Sequence, residues 1–143
     1  MAIVGVGVDL VVVSRFTATL ERTPALATRL FTDREQAGSP SSVAGRFAAK
    51  EAIAKALGAP GDLAWTDAEV HKTDVGQPWF HVTGTVAARA RALGVERFHL
   101  SISHDGDFVT AMVVAEGSSP SHDLPSPYES PYDLPNELDW GTQ

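Results

Sequence analysis

The helix-forming stretch GRFAAKEAIAKALG, residues 45–58, carries its charges in an unusual place. At about 100° per residue, Arg46 and Lys50 share the arc of the large apolar residues, Glu51 lies at its edge, and the opposite side holds only alanine. A carboxylate that lies among lysine and arginine side chains suits a site for a metal ion and phosphate groups. Mg²⁺ takes one or two protein carboxylates and completes its shell with water and phosphate oxygens. The pattern alone equally allows Lys50 to extend to solvent while Glu51 pairs with Lys55.

A second carboxylate stands on the predicted first strand, residues 2–10. Gly5, Gly7 and Asp9 alternate onto one face, where the missing side chains leave room for a ligand or a neighbouring backbone beside Asp9. The alternation assigns the other face to the core, with the residues Val4, Val6, Val8 and Leu10.

An imidazole is expected at the mouth of a hairpin in HLSISHDGD. His104 ends a predicted strand there, exposed and able to contact a ligand, although a lone histidine in a turn is more often simply solvated. The other four histidines lack the spacing of metal ligands, which disfavours a histidine metal site.

Composition narrows the chemistry further. The chain of 143 residues has no cysteine, which excludes disulfides, zinc–thiolate sites and thiol nucleophiles. The net charge of −7 includes five acids in residues 118–143; the rest holds 13 acids against 11 bases. Residues 10–58 hold seven bases against four acids, so this half could receive an anionic partner. The apolar start is too short to span a membrane and lacks signal-peptide features, so we expect a cytoplasmic protein.

The predicted order of elements is one strand, several helices, a hairpin, a helix and a second hairpin. This order predicts a single α+β domain over residues 1–117, with packed helices and a mostly antiparallel sheet. Gly38, Ser39 and Pro40 are expected to break the chain before the helix of residues 45–58. Local signals also predict helix caps and hairpin turns, namely N-caps at Ser14 and Thr85, a C-terminal Gly58, and turns at Gly76–Gln77 and Asp105–Gly106.

Residues 118–143 are rich in proline, serine and acids. Such a composition predicts disorder, because it buries too little apolar surface to offset chain entropy. The segment could bind a partner, mimic an acidic partner within the chain, or be dispensable.

Four stretches in order, GVGVDLVVVSR, RFAAKEAIAKALG, GQPWFHVTG and HLSISHDGDFVTAMVVAE, resemble the holo-[acyl-carrier-protein] synthases. The resemblance covers about residues 2–116. It implies the single-domain 4′-phosphopantetheinyl transferase fold. It also implies Mg²⁺-dependent transfer of 4′-phosphopantetheine from coenzyme A to a serine of apo-acyl carrier protein, in fatty acid biosynthesis, with release of adenosine 3′,5′-bisphosphate.

The resemblance also implies roles for individual residues. Asp9 and Glu51 match the metal ligands, and Glu51, Lys55 and His104 are the candidate catalytic residues. The proton acceptor stays open among a metal-bound water, Glu51 and Asp105. Coenzyme A is expected to meet three groups of residues: the helix cations Arg46, Lys50 and Lys55, the adenine-side hairpin Gly76, Gln77 and Pro78, and the phosphate contacts Ser103 and His104.

Partners follow from the same resemblance. Arg15 and Arg22, with Arg29 nearby, match a helix that docks the acidic carrier protein. Relatives of this type form homotrimers with active sites between subunits, which would explain the alanine side of the helix. One departure is QAGSPSSVAG, residues 36–45, which has no Lys or Arg where relatives carry basic residues. Two alternatives stay open: a transferase serving a polyketide or other secondary-metabolite carrier protein, and a catalytically silent binding module.

Overall fold

The computed structural model of the protein describes residues 1–118. This part contains both helices and antiparallel strands, which confirms the α+β prediction. The elements are β1 (Ala2–Val12), α1 (Val13–Arg22), α2 (Ala25–Leu30), α3 (Pro40–Ala56), β2 (Ala68–Lys72), β3 (Pro78–Val82), α4 (Gly84–Ala92), β4 (Val95–Asp105) and β5 (Phe108–Gly117), with short 3₁₀ helices at Arg34–Gln36 and Trp65–Asp67.

The strands form two antiparallel sheets. β5 lies between β1 and β4 in the larger sheet, and β2 pairs with β3 in a separate hairpin. β5 ends at Gly117. The domain boundary predicted after residue 117 stays a prediction, because the predicted tail lies outside the described residues from residue 119 onward. Within residues 1–118, no helix has the length and apolar character needed to cross a membrane.

Helix α3 packs directly on β1 through the two glycines of that strand. A Cβ atom on Gly5 would lie 1.9 Å from the Ala56 carbonyl oxygen, and one on Gly7 would lie 1.8 Å from that of Ala52. The helix residues on this side are fully buried alanines, namely Ala48, Ala49, Ala52 and Ala56. The alanine side therefore packs against the chain's own sheet, and the expectation that it serves a subunit contact is wrong.

The opposite face of β1, predicted to be core, is exposed except at Val4, which packs partly against the core. Val6, Val8 and Leu10 have 47%, 58% and 63% of their surface accessible. On the paired strand, Met112 and Phe108 are 48% and 51% exposed on the same face. The prediction failed because alternation shows that a strand has two faces but not which of them a helix covers. An apolar sheet face of this kind is typical of a surface that meets another chain.

Two helix N-termini are capped by distant carboxylates. Asp107, in the β4–β5 hairpin, accepts hydrogen bonds from the Ser14 backbone N–H at 3.0 Å and from the Ser14 hydroxyl at 2.5 Å. Asp67 accepts from the Thr85 N–H and hydroxyl, each at 2.7 Å, and these bonds lower the pKa of Asp67. The N-cap residues are Val12 and Thr83, so both predicted caps are wrong.

Helix α3 begins earlier than the sequence pattern predicts. Ser39 is its N-cap, accepting from the Ser42 N–H at 3.2 Å, and Pro40 takes the first helical position. The predicted break is therefore the start of the helix. At the other end, Gly58 has φ of 83°, which confirms the predicted C-terminal glycine.

The hairpin turns differ in detail from the predictions. β2 ends at Lys72 and β3 begins at Pro78, so the predicted two-residue turn at Gly76–Gln77 belongs to a longer loop of residues 73–77. In the other hairpin, Asp105 pairs with Phe108, which places the turn one residue later than predicted, at Gly106 and Asp107.

Candidate active site

The close contact of α3 with β1 brings three predicted site residues together. The Lys55 Nζ donates to Asp9 Oδ1 at 3.0 Å and to the Val8 carbonyl oxygen at 2.8 Å. Asp9 points toward the helix because Gly5 and Gly7 share its face, and its side chain is 17% exposed. Lys55 therefore pairs with the carboxylate on the strand.

Glu51 stands near enough to Asp9 for the two carboxylates to repel each other. Burial raises the pKa of Glu51, the negative charge of Asp9 raises it further, and Lys55 opposes both effects. A partly buried pair of like charges favours a cation between them. No third His, Cys, Asp or Glu within residues 1–118 joins the pair. This donor set fits Mg²⁺ with water and phosphate oxygens rather than an all-protein cage.

The two carboxylates border a cavity of about 600 Å³, which we call the carboxylate cavity. Its apolar wall is built on Phe47, whose ring stacks on Phe16 at 4.4 Å and lies 6.0 Å from Trp65, measured between centroids. Two guanidinium groups also line it. The complete lining is Asp9, Leu10, Val11, Val12, Arg15, Phe16, Thr19, Leu26, Arg29, Leu30, Phe47, Glu51 and Trp65.

The predicted docking arginines lie beside this cavity. Arg15 lines it, and so does Arg29. Arg22 is exposed at the end of α1, where its Nη2 donates to the hydroxyl of Thr19, a lining residue, at 3.3 Å. Positive side chains thus stand beside an apolar wall.

A second cavity of about 330 Å³, which we call the basic cavity, lies beside the N-terminal half of α3. Its lining contains two arginines, a lysine and two histidines, and no acidic residue among residues 1–118. The lining is Arg34, Ser42, Gly45, Arg46, Val70, His71, Lys72, Gly76, Pro78, Ile102 and His104. Four of the predicted coenzyme A contacts are therefore brought together here: Arg46, Gly76, Pro78 and His104.

Backbone contacts fix two of these side chains. The Arg46 Nη1 donates to the carbonyl oxygens of Glu35 and Ala37, both at 2.5 Å. The His104 Nε2 lies 3.2 Å from the Ser41 carbonyl oxygen. Gly45 permits this approach, because a Cβ atom there would lie 3.3 Å from His104 Nε2.

Of the other four predicted contacts, Lys55 lies at Asp9, and three lie elsewhere. Ser103 points to the opposite face of β4 from His104, as adjacent strand residues must. Gln77 is exposed in the β2–β3 loop and lines neither cavity. Lys50 is buried, with 1% of its side chain accessible.

Lys50 has structural partners for its ammonium group. Its Nζ lies 2.8 Å from Glu35 Oε1 and donates to the carbonyl oxygens of Trp65 and Ala68 at 2.8 and 2.7 Å. Burial lowers the pKa of Lys50, and the Glu35 carboxylate opposes that shift. Its predicted role as a phosphate contact conflicts with this environment, since three protein acceptors already match its three N–H donors.

The two cavities have no lining residue in common within residues 1–118. The sequence motifs did not predict three basic residues of the basic cavity, namely Arg34, His71 and Lys72. These lie on the Arg34–Gln36 3₁₀ helix and on β2, where no local pattern distinguishes a cavity residue from an ordinary surface charge.

Comparison with known proteins identifies the family. Residues 5–113 match the model of the 4′-phosphopantetheinyl transferase superfamily. The chain is 58% identical over 123 residues to a holo-[acyl-carrier-protein] synthase from Streptomyces avermitilis, covering 82% of this chain and 100% of the relative. It is 59% identical over 116 residues to one from Micrococcus luteus, covering 80% and 92%.

Solved structures agree with these matches. The crystal structure of a holo-[acyl-carrier-protein] synthase from Neisseria meningitidis is similar with a TM-score of 0.73 and 35% identity, covering 80% of this chain and 99% of that one. A synthase from Helicobacter pylori in complex with coenzyme A has a TM-score of 0.70 and 27% identity, covering 78% and 99%. The chain belongs to the 4′-phosphopantetheinyl transferase superfamily and, within it, to the holo-[acyl-carrier-protein] synthases.

Proposed function

We propose that this protein transfers 4′-phosphopantetheine from coenzyme A to a serine of apo-acyl carrier protein and releases adenosine 3′,5′-bisphosphate. The observation that carries this proposal is the pair formed by Asp9 and Glu51 at the edge of the carboxylate cavity, with Lys55 beside it. Family membership and the relatives' names support the same reaction.

Asp9 and Glu51 are the residues that would hold Mg²⁺. Held there, Mg²⁺ would supply positive charge to offset the negative charge of the pyrophosphate. Lys55, ion-paired with Asp9 at 3.0 Å, holds the carboxylate toward the helix.

The serine hydroxyl of the carrier protein attacks the phosphorus that bears the pantetheine arm. A new P–O bond forms, and the bond to the bridging oxygen breaks, so that adenosine 3′,5′-bisphosphate leaves with that oxygen. Glu51 is our candidate for the serine proton, because it is a carboxylate that lines the cavity in which the reacting phosphate is proposed to lie. Asp105, the other candidate side chain, lines neither cavity.

The carrier protein is proposed to dock beside the carboxylate cavity. Arg15 and Arg29 at the cavity and Arg22 on the same helix as Arg15 offer positive charge to an acidic partner. The aromatic rings around Phe47 form an apolar surface next to that charge. Both features support a protein substrate that places its serine near Glu51.

We further propose that the protein acts as a homotrimer in the cytoplasm, with active sites between subunits. The exposed apolar face of β1 and β5 supports association, since Val8, Leu10 and Met112 would leave water there. The separation of the two cavities supports a shared site, because coenzyme A needs both a metal and cations for its phosphates.

The direct test is mass spectrometry of apo-acyl carrier protein after incubation with the protein, coenzyme A and Mg²⁺. The expected result is a gain of one phosphopantetheine on the carrier serine, lost when Mg²⁺ is chelated. Tight carrier binding without that gain would support a silent binding module instead. A gain on a polyketide carrier but not on a fatty acid carrier would support the secondary-metabolite alternative.

A further inference from the structure

Two permanent cations of the basic cavity have no part in the proposed mechanism so far. Arg34 lies on the Arg34–Gln36 3₁₀ helix, and Lys72 is the last residue of β2. Both side chains are exposed, and both line the cavity that also holds Arg46 and His104. The cavity therefore gathers more positive charge than the family motifs account for.

A buried ion pair connects the backbone segments that carry these two cations. Glu35, the neighbour of Arg34, accepts from the Val70 N–H at 2.9 Å, and Val70 stands two residues before Lys72. Glu35 also pairs with Lys50 of α3 at 2.8 Å. One carboxylate thus joins the 3₁₀ helix, β2 and α3, so the two cations are held on connected backbone segments.

The charge pattern distinguishes which phosphate fits this cavity. The pyrophosphate of coenzyme A contains the reacting phosphorus, so in the proposed reaction it lies at Asp9 and Glu51. The basic cavity has no acidic lining residue among residues 1–118 to hold a cation. A cavity with lysine and arginine but no carboxylate suits the remaining anionic group of coenzyme A. That group is the dianionic phosphate monoester at the ribose 3′ position.

The segment that leads into α3 supplies no cation to the basic cavity. Residues 36–45, which include the first turn of the helix beside the cavity, contain no Lys or Arg. Among the lining residues, permanent positive charge is then supplied by Arg34, Arg46 and Lys72.

We propose that Arg34 and Lys72 bind the 3′-phosphate of coenzyme A and make the enzyme select it over 3′-dephospho-coenzyme A. This inference rests on the proposed function, because it takes coenzyme A as the donor. It assigns specificity to two residues on a 3₁₀ helix and a β-strand outside the family motifs.

The test is calorimetric titration of the full chain with adenosine 3′,5′-bisphosphate and, separately, with adenosine 5′-monophosphate. Arg34→Ala and Lys72→Ala should each weaken the bisphosphate about tenfold, as expected for loss of one charge-assisted contact, and leave the monophosphate within about twofold. Lys72→Arg should retain the preference. Arg91→Ala, which removes an exposed charge of α4 outside the basic cavity, is the matched control.

Transfer assays with the two donors separate this inference from the proposed function. The ratio of kcat/KM for coenzyme A to that for the dephospho donor should fall about tenfold in Arg34→Ala and Lys72→Ala and stay unchanged in Arg91→Ala. An unchanged ratio in the first two variants, with transfer by the wild type intact, would overturn the inference alone. Absence of transfer by the wild type would overturn the proposed function, and the two titrations would still decide whether Arg34 and Lys72 recognise a 3′-phosphate.

Discussion

The carboxylate cavity and the basic cavity are built in different ways. The first depends on the packing of one helix on one strand, where Gly5 and Gly7 let α3 approach and bring Asp9 beside Lys55. The second gathers side chains from a 3₁₀ helix, α3, the β2–β3 hairpin and β4 around an opening with no acidic lining residue in the described part of the chain. We propose that these two cavities have different roles, in which the carboxylate cavity binds the reacting phosphates and the basic cavity binds the nucleotide.

The largest expected effect lies in the carboxylate cavity. Asp9→Ala and Glu51→Ala should each lower kcat/KM for phosphopantetheine transfer by at least about 100-fold, because stabilising charge at the reacting phosphate contributes several kcal/mol. Transfer is measured by mass spectrometry of the carrier protein. Asp62→Ala, at an exposed loop carboxylate, serves as the control. Near-normal turnover in either of the first two variants would remove those residues from the reaction.

The packing beneath that cavity gives the next prediction. Gly7→Ala should lower the free energy of unfolding by about 3 kcal/mol or more, because the added methyl group would meet the Ala52 carbonyl oxygen at 1.8 Å. Denaturant unfolding followed by circular dichroism measures this change. Gly61→Ala is the matched control, since a Cβ atom there has no neighbour within 4 Å. Equal stability of the two variants would show that α3 does not need the glycine face.

A substitution at the rim of the carboxylate cavity should change KM for the carrier protein more than KM for coenzyme A. Arg15→Glu is expected to raise KM for the carrier protein roughly tenfold at low salt, with much less change in KM for coenzyme A, because it reverses charge opposite an acidic partner. Steady-state kinetics at two salt concentrations measures both constants. Arg91→Glu, on the remote helix α4, controls for net charge. A parallel rise in both constants would argue against docking at Arg15.

A smaller effect concerns stability in the absence of metal. Folding raises the pKa of Glu51 above its ordinary value of 4.5, so the folded state holds this proton more tightly than the unfolded state. The charged form therefore costs stability at neutral pH, and this cost disappears as the pH falls below the ordinary value. Glu51→Gln should raise Tm by a few degrees near pH 7.5 and leave it almost unchanged near pH 4, while Asp62→Asn should do neither. A lower Tm for Glu51→Gln at pH 7.5 would contradict this reading of the site.

The sequence pattern predicted the carboxylate cavity better than the basic cavity, for physical reasons. Glycine alternation on β1 and helical geometry on α3 are local features, and together they singled out Asp9 and Glu51, while the family resemblance added Lys55 as a site residue. The same helical geometry could not show that Lys50 is buried, because its partner Glu35 lies in a separate element. Periodicity places a residue on an arc but does not reveal what packs against it.

Long-range contacts account for the other differences. The local caps predicted at Ser14 and Thr85 are replaced by Asp107 and Asp67, which approach from distant parts of the chain. The exposed face of β1 was predicted as core because its valines and leucine are apolar, as interface residues also are. Arg34 and Lys72 became visible as cavity residues only once the elements that carry them were placed around α3.

The central claim, that the carboxylate cavity of one copy and the basic cavity of another form one active site, has a direct test. Differently tagged Asp9→Ala and Arg46→Ala chains are co-expressed, mixed oligomers are purified through both tags, and phosphopantetheine transfer is measured. Each variant alone should be impaired, Asp9→Ala by at least about 100-fold and Arg46→Ala by about tenfold or more. If sites form between the subunits of a trimer, the mixed oligomers should regain about a third of the wild-type activity, because one of the three interfaces in every mixed trimer joins two unaltered half-sites. Mixed oligomers that are no more active than either variant alone would contradict the account.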